Sequence, residues 1–224
     1  MALVSAHRGG AGYDRHREGS LEAIDAAVAI ECDYVELDLR RRSDGQVVVC
    51  HDAEQADSAP TLDDALDRLG DRVGAHLDFK GTGHEIDAVS LAVAHLGSDR
   101  IVVTTAEDDA VRELRAWAIE HAPSLHVGLS TSARSDAGTR RSRLAVLVAS
   151  WFPRTRMRRS GSDVVVAHRR VAHWWLRSWA HRRGLPLLVW TVDDPAELQR
   201  WVNDPWTWMV ATNHPERALT IRRP

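Results

Sequence analysis

Tyr34-Val35-Glu36-Leu37-Asp38-Leu39-Arg40-Arg41-Arg42-Ser43-Asp44-Gly45-Gln46-Val47-Val48-Val49-Cys50-His51 reads as an alternating strand, an Asp-Gly turn and a return arm. Asp-Gly between apolar runs is a strong short-range hairpin signal. Taken as a two-residue loop, it pairs Ser43 with Gln46, Arg41 with Val48 and Asp38 with His51. Directly opposed residues share a face of the sheet with Cβ atoms about 5 Å apart. Glu36, two residues from Asp38, points the same way. Two carboxylates and an imidazole then converge, a set suited to a hard divalent cation beside a proton-transfer group.

Outward from this hairpin, short β-branched runs alternate with amphipathic segments of helical period. The runs predict strands at Ala2–His7, Asp33–Arg40, Gly74–Lys80, Arg100–Thr105, His126–Ser130, Asp163–His168, Pro186–Val192 and Trp208–Thr212. Helices are predicted over Leu21–Ile30, Thr61–Leu69, Glu85–Leu96, Asp109–Glu120, Arg141–Trp151, Ala172–Arg183 and Pro195–Asn203. Ser20 is placed to cap the first, Gly184 to end the sixth, and Asp194-Pro195 to start the last. Eight strands in alternation with helices point to a (β/α)8 TIM barrel, with Gln46–Cys50 as the return arm of a hairpin extension after strand 2. A chain of 224 residues without a glycine-, serine- or proline-rich linker is expected to form one such domain over residues 1–224.

Composition narrows the function. The net charge is −3, with acidic residues crowding the first half and eight arginines between Arg134 and Arg159. That cluster reads as a solvated face, and no nucleic-acid partner is expected from it. Cys32 and Cys50, the only cysteines, are too few for a disulfide scaffold and lack metal-ligand spacing. No charged segment with an apolar h-region precedes the first strand, and the longest apolar run, Leu144–Phe152, is far below the roughly 20 residues of a membrane span. The expectation is a reduced, cytoplasmic protein. The nine tryptophans are mostly helix-borne and read as sheet-facing core, except Trp190 near a strand end. Arginine outnumbers lysine 28 to 1, so the solitary Lys80, a compact ammonium at a strand end, is a candidate site residue.

In a barrel the chemistry sits at the C-terminal ends of the strands. His7 and Arg8, Glu36 and Asp38, Asp78 and Lys80, His168, Trp190-Thr191 and Thr212-Asn213 all fall at that rim. The alternation in Glu36-Leu37-Asp38 and His76-Leu77-Asp78-Phe79-Lys80 aims side chains into the lumen in turn. Three carboxylates in one mouth repel unless a cation holds them. Oxygen-only ligation selects Mg²⁺ or Ca²⁺. The alternative is neutralisation by Arg8 and Lys80 without a metal.

The ordered segments Ala6-His7-Arg8-Gly9-Gly10, Glu18-Gly19-Ser20-Leu21-Glu22-Ala23, Tyr34 to Leu39, Asp44-Gly45 and Val49-Cys50-His51-Asp52 resemble the glycerophosphodiester phosphodiesterase family. The resemblance continues through Pro60-Thr61-Leu62, Leu77-Asp78-Phe79-Lys80, Val189 to Asp193 and Thr212-Asn213-His214-Pro215, over nearly the whole chain. It implies a metal-dependent barrel that hydrolyses a glycerophosphodiester to glycerol 3-phosphate and an alcohol. By it His7 and His51 would be the acid/base pair, Arg8 a phosphate clamp and Lys80 a contact to the phosphoryl oxygens. Glu36, Asp38 and Asp78 would hold the metal, and Trp190 would wall the substrate pocket, with His168 a further substrate-binding candidate at the rim.

Three departures from the family pattern stand out. Gly19 replaces an asparagine, Asp78 stands where glutamate is commoner, and the stretch after the hairpin is cut to Ala53–Ala59. An open site beside the arginine-rich Leu144–Arg159 stretch would suit a related barrel phospholipase acting on lysophospholipid or sphingomyelin-type lipids at a membrane surface. A catalytically silent phosphodiester-binding barrel is the reading from another class.

Overall fold

The computed structural model describes residues 1–130 and 153–222. Strands β1 (Leu3–Ala6), β2 (Tyr34–Arg41), β4 (Gly74–Phe79), β5 (Ile101–Thr105), β6 (His126–Ser130), β7 (Val164–His168), β8 (Leu187–Trp190) and β9 (Met209–Thr212) run parallel. β1 pairs with both β2 and β9, which closes a TIM barrel. β3 (Val47–Val49) is bonded outside it, antiparallel to β2.

Helices α1 (Leu21–Ala29), α2 (Leu62–Leu69), α3 (Glu85–Leu96), α4 (Asp108–His121) and α5 (Pro153–Ser160) follow the earlier strands. α6 starts at Arg169–Val171, passes through a π turn at Ala172–Leu176 and continues over Arg177–Arg182. α7 (Pro195–Asn203) and α8 (Pro215–Arg222) complete the chain. The ends obey local chemistry: Ser20 accepts from the Ala23 N–H, Thr61 and Asp64 form a capping box, and Asp194 caps α7 with Pro195 in its first turn. The helix expected at Arg141–Trp151, and most of the arginine-rich Leu144–Arg159 stretch, lie outside the described residues. α5 and α8 were not expected from periodicity; α5 carries four arginines in eight residues, which masks an apolar stripe.

Strand alternation builds two cores. Val165, Ala167, Leu187 and Val189 face outward into the layer packed by helices, whereas Val164, Val166, Leu188 and Met209 fill the barrel interior. Gly74 and Gly128 are demanded by this interior: a Cβ on Gly74 would lie 2.5 Å from the Tyr34 ring, and one on Gly128 would lie 2.4 Å from Val166 Cγ2. The expectation that the helix-borne tryptophans are core holds for Trp179 and Trp201 only in part of the set. Trp174, on the π turn, is 84% exposed, and the Arg154 and Arg177 guanidinia lie over Trp175 and Trp206 at 4.3 and 4.1 Å. A helix whose polar face is rich in arginine offers aromatic rings a stacking partner at the surface.

The hairpin register differs by one residue from the two-residue-loop reading. Leu39 pairs with Val49, Arg40 with Val48 and Arg41 with Val47. The Gly45 N–H donates to the Arg42 carbonyl at 2.9 Å, the Arg42 N–H donates to the Gln46 carbonyl at 2.8 Å, and Gly45 has φ of 93°. This is a three-residue loop, a type I turn followed by a left-handed glycine bulge. Asp44 favours it by accepting from the Gln46 N–H at 3.0 Å. Asp38 therefore faces Cys50, whose N–H donates to the Asp38 carbonyl at 2.9 Å, and not His51.

Parallel register does place the carboxylates. Asp38 lies beside Asp78 and Asp78 beside Thr104, while two residues earlier Glu36 lies beside His76 and His76 beside Val102. Both rows face the lumen.

Cys32 and Cys50 are free and buried. Burial pushes the Cys32 thiol up to about 12 and raises that of Cys50. Neither should react with a thiol reagent at pH 8 in the native protein, and both should react in denaturant; rapid native labelling of Cys32 would contradict its placement. Among the described residues no helix is long and apolar enough to cross a membrane.

Candidate active site

His7-Arg8-Gly9-Gly10 leaves β1 as a tight turn in which Arg8 adopts φ 51° and ψ 40°. A side chain in this left-handed region costs about 1–2 kcal/mol. The conformation aims the Arg8 N–H at Glu36 Oε2, 2.6 Å away, and its guanidinium at Asp38 Oδ2 (3.1 Å from Nε) and Glu18 Oε2 (2.6 Å from Nη1). Gly9 and Gly10 are forced by close approach: a Cβ on Gly9 would lie 2.9 Å from Ala23 Cβ, and one on Gly10 would lie 2.7 Å from Pro215 Cγ. Gly19 also has positive φ, 70°, and its N–H donates to the Arg8 carbonyl at 3.1 Å. Asparagine tolerates the same conformation better than other side chains, so the departure at Gly19 removes a side chain and keeps the backbone path.

The carboxylates form one cluster. Single oxygens of Glu36, Asp38 and Asp78 all lie within 4.8 Å of one another. Ligands of one Mg²⁺ or Ca²⁺ sit at most about 4–5 Å apart, twice the bond length, so this all-oxygen set fits a hard divalent cation. Lys80 Nζ donates to Asp78 Oδ2 and lies 2.8 Å from Asp38 Oδ1. Burial and the Asp38 charge raise the Glu36 carboxyl well above its ordinary value. Burial pushes Asp38 the same way, but Lys80, Arg8 and His7 together hold it below the usual carboxylate range. Burial would lower Lys80, and Asp78, Asp38 and Glu36 more than offset it, holding the ammonium above its ordinary value.

Both expected histidines reach the same place. A cavity of about 260 Å³ is lined by His7, His51, Arg8, Glu36, Asp78 and Lys80, with Thr104, Val166, Leu188 and Ala211 contributing the barrel interior and Trp190 a wall. His7 Nδ1 lies 2.8 Å from Asn213 Oδ1, and Asn213 Nδ2 donates to Asp193 Oδ2 at 2.9 Å. Burial lowers the His7 pKa, outweighing the opposing pull of Asp38 and Asn213. His51 comes to the cavity because the chain leaves β3 after Val49. Its Nδ1 is bonded to Asp52 Oδ1 at 2.7 Å, which lowers the Asp52 pKa.

His168 is not brought into the cavity lining. It packs edge-on against Trp190 with centroids 5.9 Å apart, and its pKa is lowered by burial and by Arg169 and Arg170.

Sequence reasoning missed Arg40, Asp193 and the positioning part played by Asn213. Arg40 donates to the His51 carbonyl at 2.7 Å and to the Lys80 carbonyl at 3.0 Å, tying the two segments that carry those side chains. Its signal was available, since Glu36, Asp38 and Arg40 alternate on one face. The Asp193–Asn213 pair joins two loops, and no spacing predicts it.

A putative glycerophosphodiester phosphodiesterase of Bacillus subtilis (strain 168) is 28% identical over 35% of this chain, and the match spans 44% of that relative's length. A glycerophosphodiester phosphodiesterase from Parabacteroides distasonis superposes with a TM-score of 0.73 at 20% identity, over 99% of this chain and 96% of that one. An Oleispira antarctica phosphodiesterase, solved in complex with the product sn-glycerol-3-phosphate, superposes with a TM-score of 0.71 at 19% identity, over 99% and 96% of the two chains. These likenesses speak to the barrel. Family assignment rests on sequence, because residues 7–126 match the glycerophosphoryl diester phosphodiesterase family, and with that match running from the His7 turn through the carboxylate strands the chain belongs to this family.

Proposed function

We propose that the protein hydrolyses a glycerophosphodiester to glycerol 3-phosphate and an alcohol, with a divalent cation and two histidines. The observation that carries this reading is the cavity lined by His7, His51, Arg8, Lys80, Glu36 and Asp78, with Asp38 clustered beside the two carboxylates. A structural neighbour solved with sn-glycerol-3-phosphate supports a small phosphorylated substrate.

Glu36, Asp38 and Asp78 would hold Mg²⁺ or Ca²⁺. When bound, the ion supplies positive charge against the phosphodiester. Arg8 and Lys80 add fixed positive charge where negative charge develops, without reorganising at the moment of reaction. Asn213 Nδ2 is committed to Asp193, so its Oδ1 accepts from the His7 Nδ1–H. The lone pair of the neutral His7 ring is then on Nε2, and burial keeps that ring neutral. His7 is the base that takes the proton from water or a substrate hydroxyl, and His51 gives a proton to the departing alkoxide. Each such transfer contributes about 10²- to 10⁴-fold. Trp190 presents an apolar wall to the part of the substrate beyond the phosphate.

Turnover of glycerophosphodiesters, lysophospholipids and sphingomyelin-type lipids, with Mg²⁺ or Ca²⁺ and with or without chelator, tests the reading. Glycerol 3-phosphate release that stops in chelator and returns with either ion is expected. Full activity in chelator would remove the metal, turnover of the lipids alone would move the substrate class, and binding without turnover under every metal would make the barrel silent.

A further inference from the structure

His76 and Thr104 lie in the barrel interior, and the reaction as derived above uses neither. Both line the cavity, and both are almost wholly buried. Thr104 Oγ1 donates to Asp78 Oδ1 at 2.6 Å. It also lies 3.0 Å from His76 Nε2, and His76 Nδ1 lies 3.1 Å from Ser5 Oγ.

The polarity of this chain is determined from its end. A carboxylate oxygen only accepts, so the single hydroxyl hydrogen of Thr104 goes to Asp78. Thr104 must then accept from His76, which places a hydrogen on Nε2. In the neutral ring Nδ1 is left as an acceptor, and the Ser5 hydroxyl donates to it. Ser5, His76, Thr104 and Asp78 thus form one directed series, each member oriented by the one before it. Its last two links come from parallel register, which sets His76 one row before Asp78 on β4 and Thr104 beside Asp78 on β5.

We propose that Thr104, oriented by His76, is a positioning residue that presents Asp78 to the divalent cation. This rests on the reading of Glu36, Asp38 and Asp78 as the ligands. Asp78 needs such support: its side chain is 21% exposed at the mouth, and its other oxygen accepts from the Lys80 ammonium. A hydroxyl on a strand fixes one oxygen and with it the orientation of the whole carboxylate. Partners of this kind, one bond removed from the metal, are typically worth 10- to 100-fold in metal affinity.

Calorimetric titration of the chelator-stripped full-length protein with Mg²⁺ and with Ca²⁺ tests this without reference to turnover. Thr104→Val keeps shape and branching while removing the hydroxyl, and the dissociation constant should rise about 10- to 100-fold. Thr104→Ser should restore it to within about threefold of wild type, since the hydroxyl returns. His76→Leu should weaken binding in the wild-type background and add nothing in the Thr104→Val background, because His76 acts through Thr104. Additive effects of the two substitutions, or unchanged affinity in Thr104→Val with binding lost in Asp78→Ala, would overturn the proposal while leaving the ligands in place. Absence of binding by the wild-type protein would instead overturn the metal reading beneath it. Thermal melts accompany each variant, and if Thr104→Val does not fold, the failure of Thr104→Ser to match wild type decides against the proposal.

Discussion

Asp38→Asn is expected to fold and to lose at least about 10³-fold in turnover, the upper range for deleting one preorganised electrostatic group, because it removes a proposed metal ligand and a charge anchor together. The side chain is 3% exposed and meets Arg8 Nε at 3.1 Å and Lys80 Nζ at 2.8 Å. The amide keeps the shape but cannot balance two cations. Breaking a buried pair by removing one partner costs about 3–5 kcal/mol. Here the lower end is expected, since Arg8 keeps Glu18, Lys80 keeps Asp78, and Glu36 is relieved of a neighbouring charge that raised its pKa. Asp38 is held below its unfolded value of about 3.9, so its contribution is present above that pH and is lost as pH falls through the lower folded value. The stability gap between wild type and variant, read from denaturant melts, should therefore be full at pH 7 and shrink below about pH 4. A variant with wild-type turnover in chelator would remove Asp38 from the site altogether.

The barrel was legible because β-branched runs and helical stripes alternate with little interruption, and periodicity is the property a sequence displays most openly. β6 was expected and found at His126–Ser130, and α3 at Glu85–Leu96. The carboxylates were legible for the same reason: Glu36, Asp38 and Asp78 sit at alternate positions, and alternation is what aims a side chain inward. The hairpin register was not, because Asp-Gly serves both a two-residue loop and the last two places of a three-residue loop. Only the hydrogen bonds among Arg42, Gly45 and Gln46 decide between them. His51 reached the cavity although its opposition to Asp38 did not hold, since the strand ends before it and the loop sets its direction. Contacts that depend on closing the barrel, such as His7 with Asn213, or that cross its interior, such as His76 with Ser5, join residues far apart in sequence and leave no periodic trace.

His7→Gln should lower turnover by about 10²- to 10⁴-fold, the range for losing one general acid or base, while leaving the fold and metal binding intact. Its pH profile is the sharper reading. Burial lowers the His7 pKa, so a base at this position stays unprotonated below the ordinary histidine value of about 6.5. The acid limb of kcat/KM in the wild-type protein should therefore have its midpoint below about 6.5, and that limb should vanish from the residual activity of His7→Gln. Asn213→Leu separates holding the ring from being the base. It removes the acceptor 2.8 Å from Nδ1, so the neutral ring no longer favours the tautomer with its lone pair on Nε2. Turnover should fall about 10-fold or more, with the acid limb moved to lower pH because the bond to Asn213 had raised the His7 pKa. An acid limb that survives unchanged in His7→Gln would transfer the role of base to His51, whose Nδ1 is oriented by Asp52 in the corresponding way.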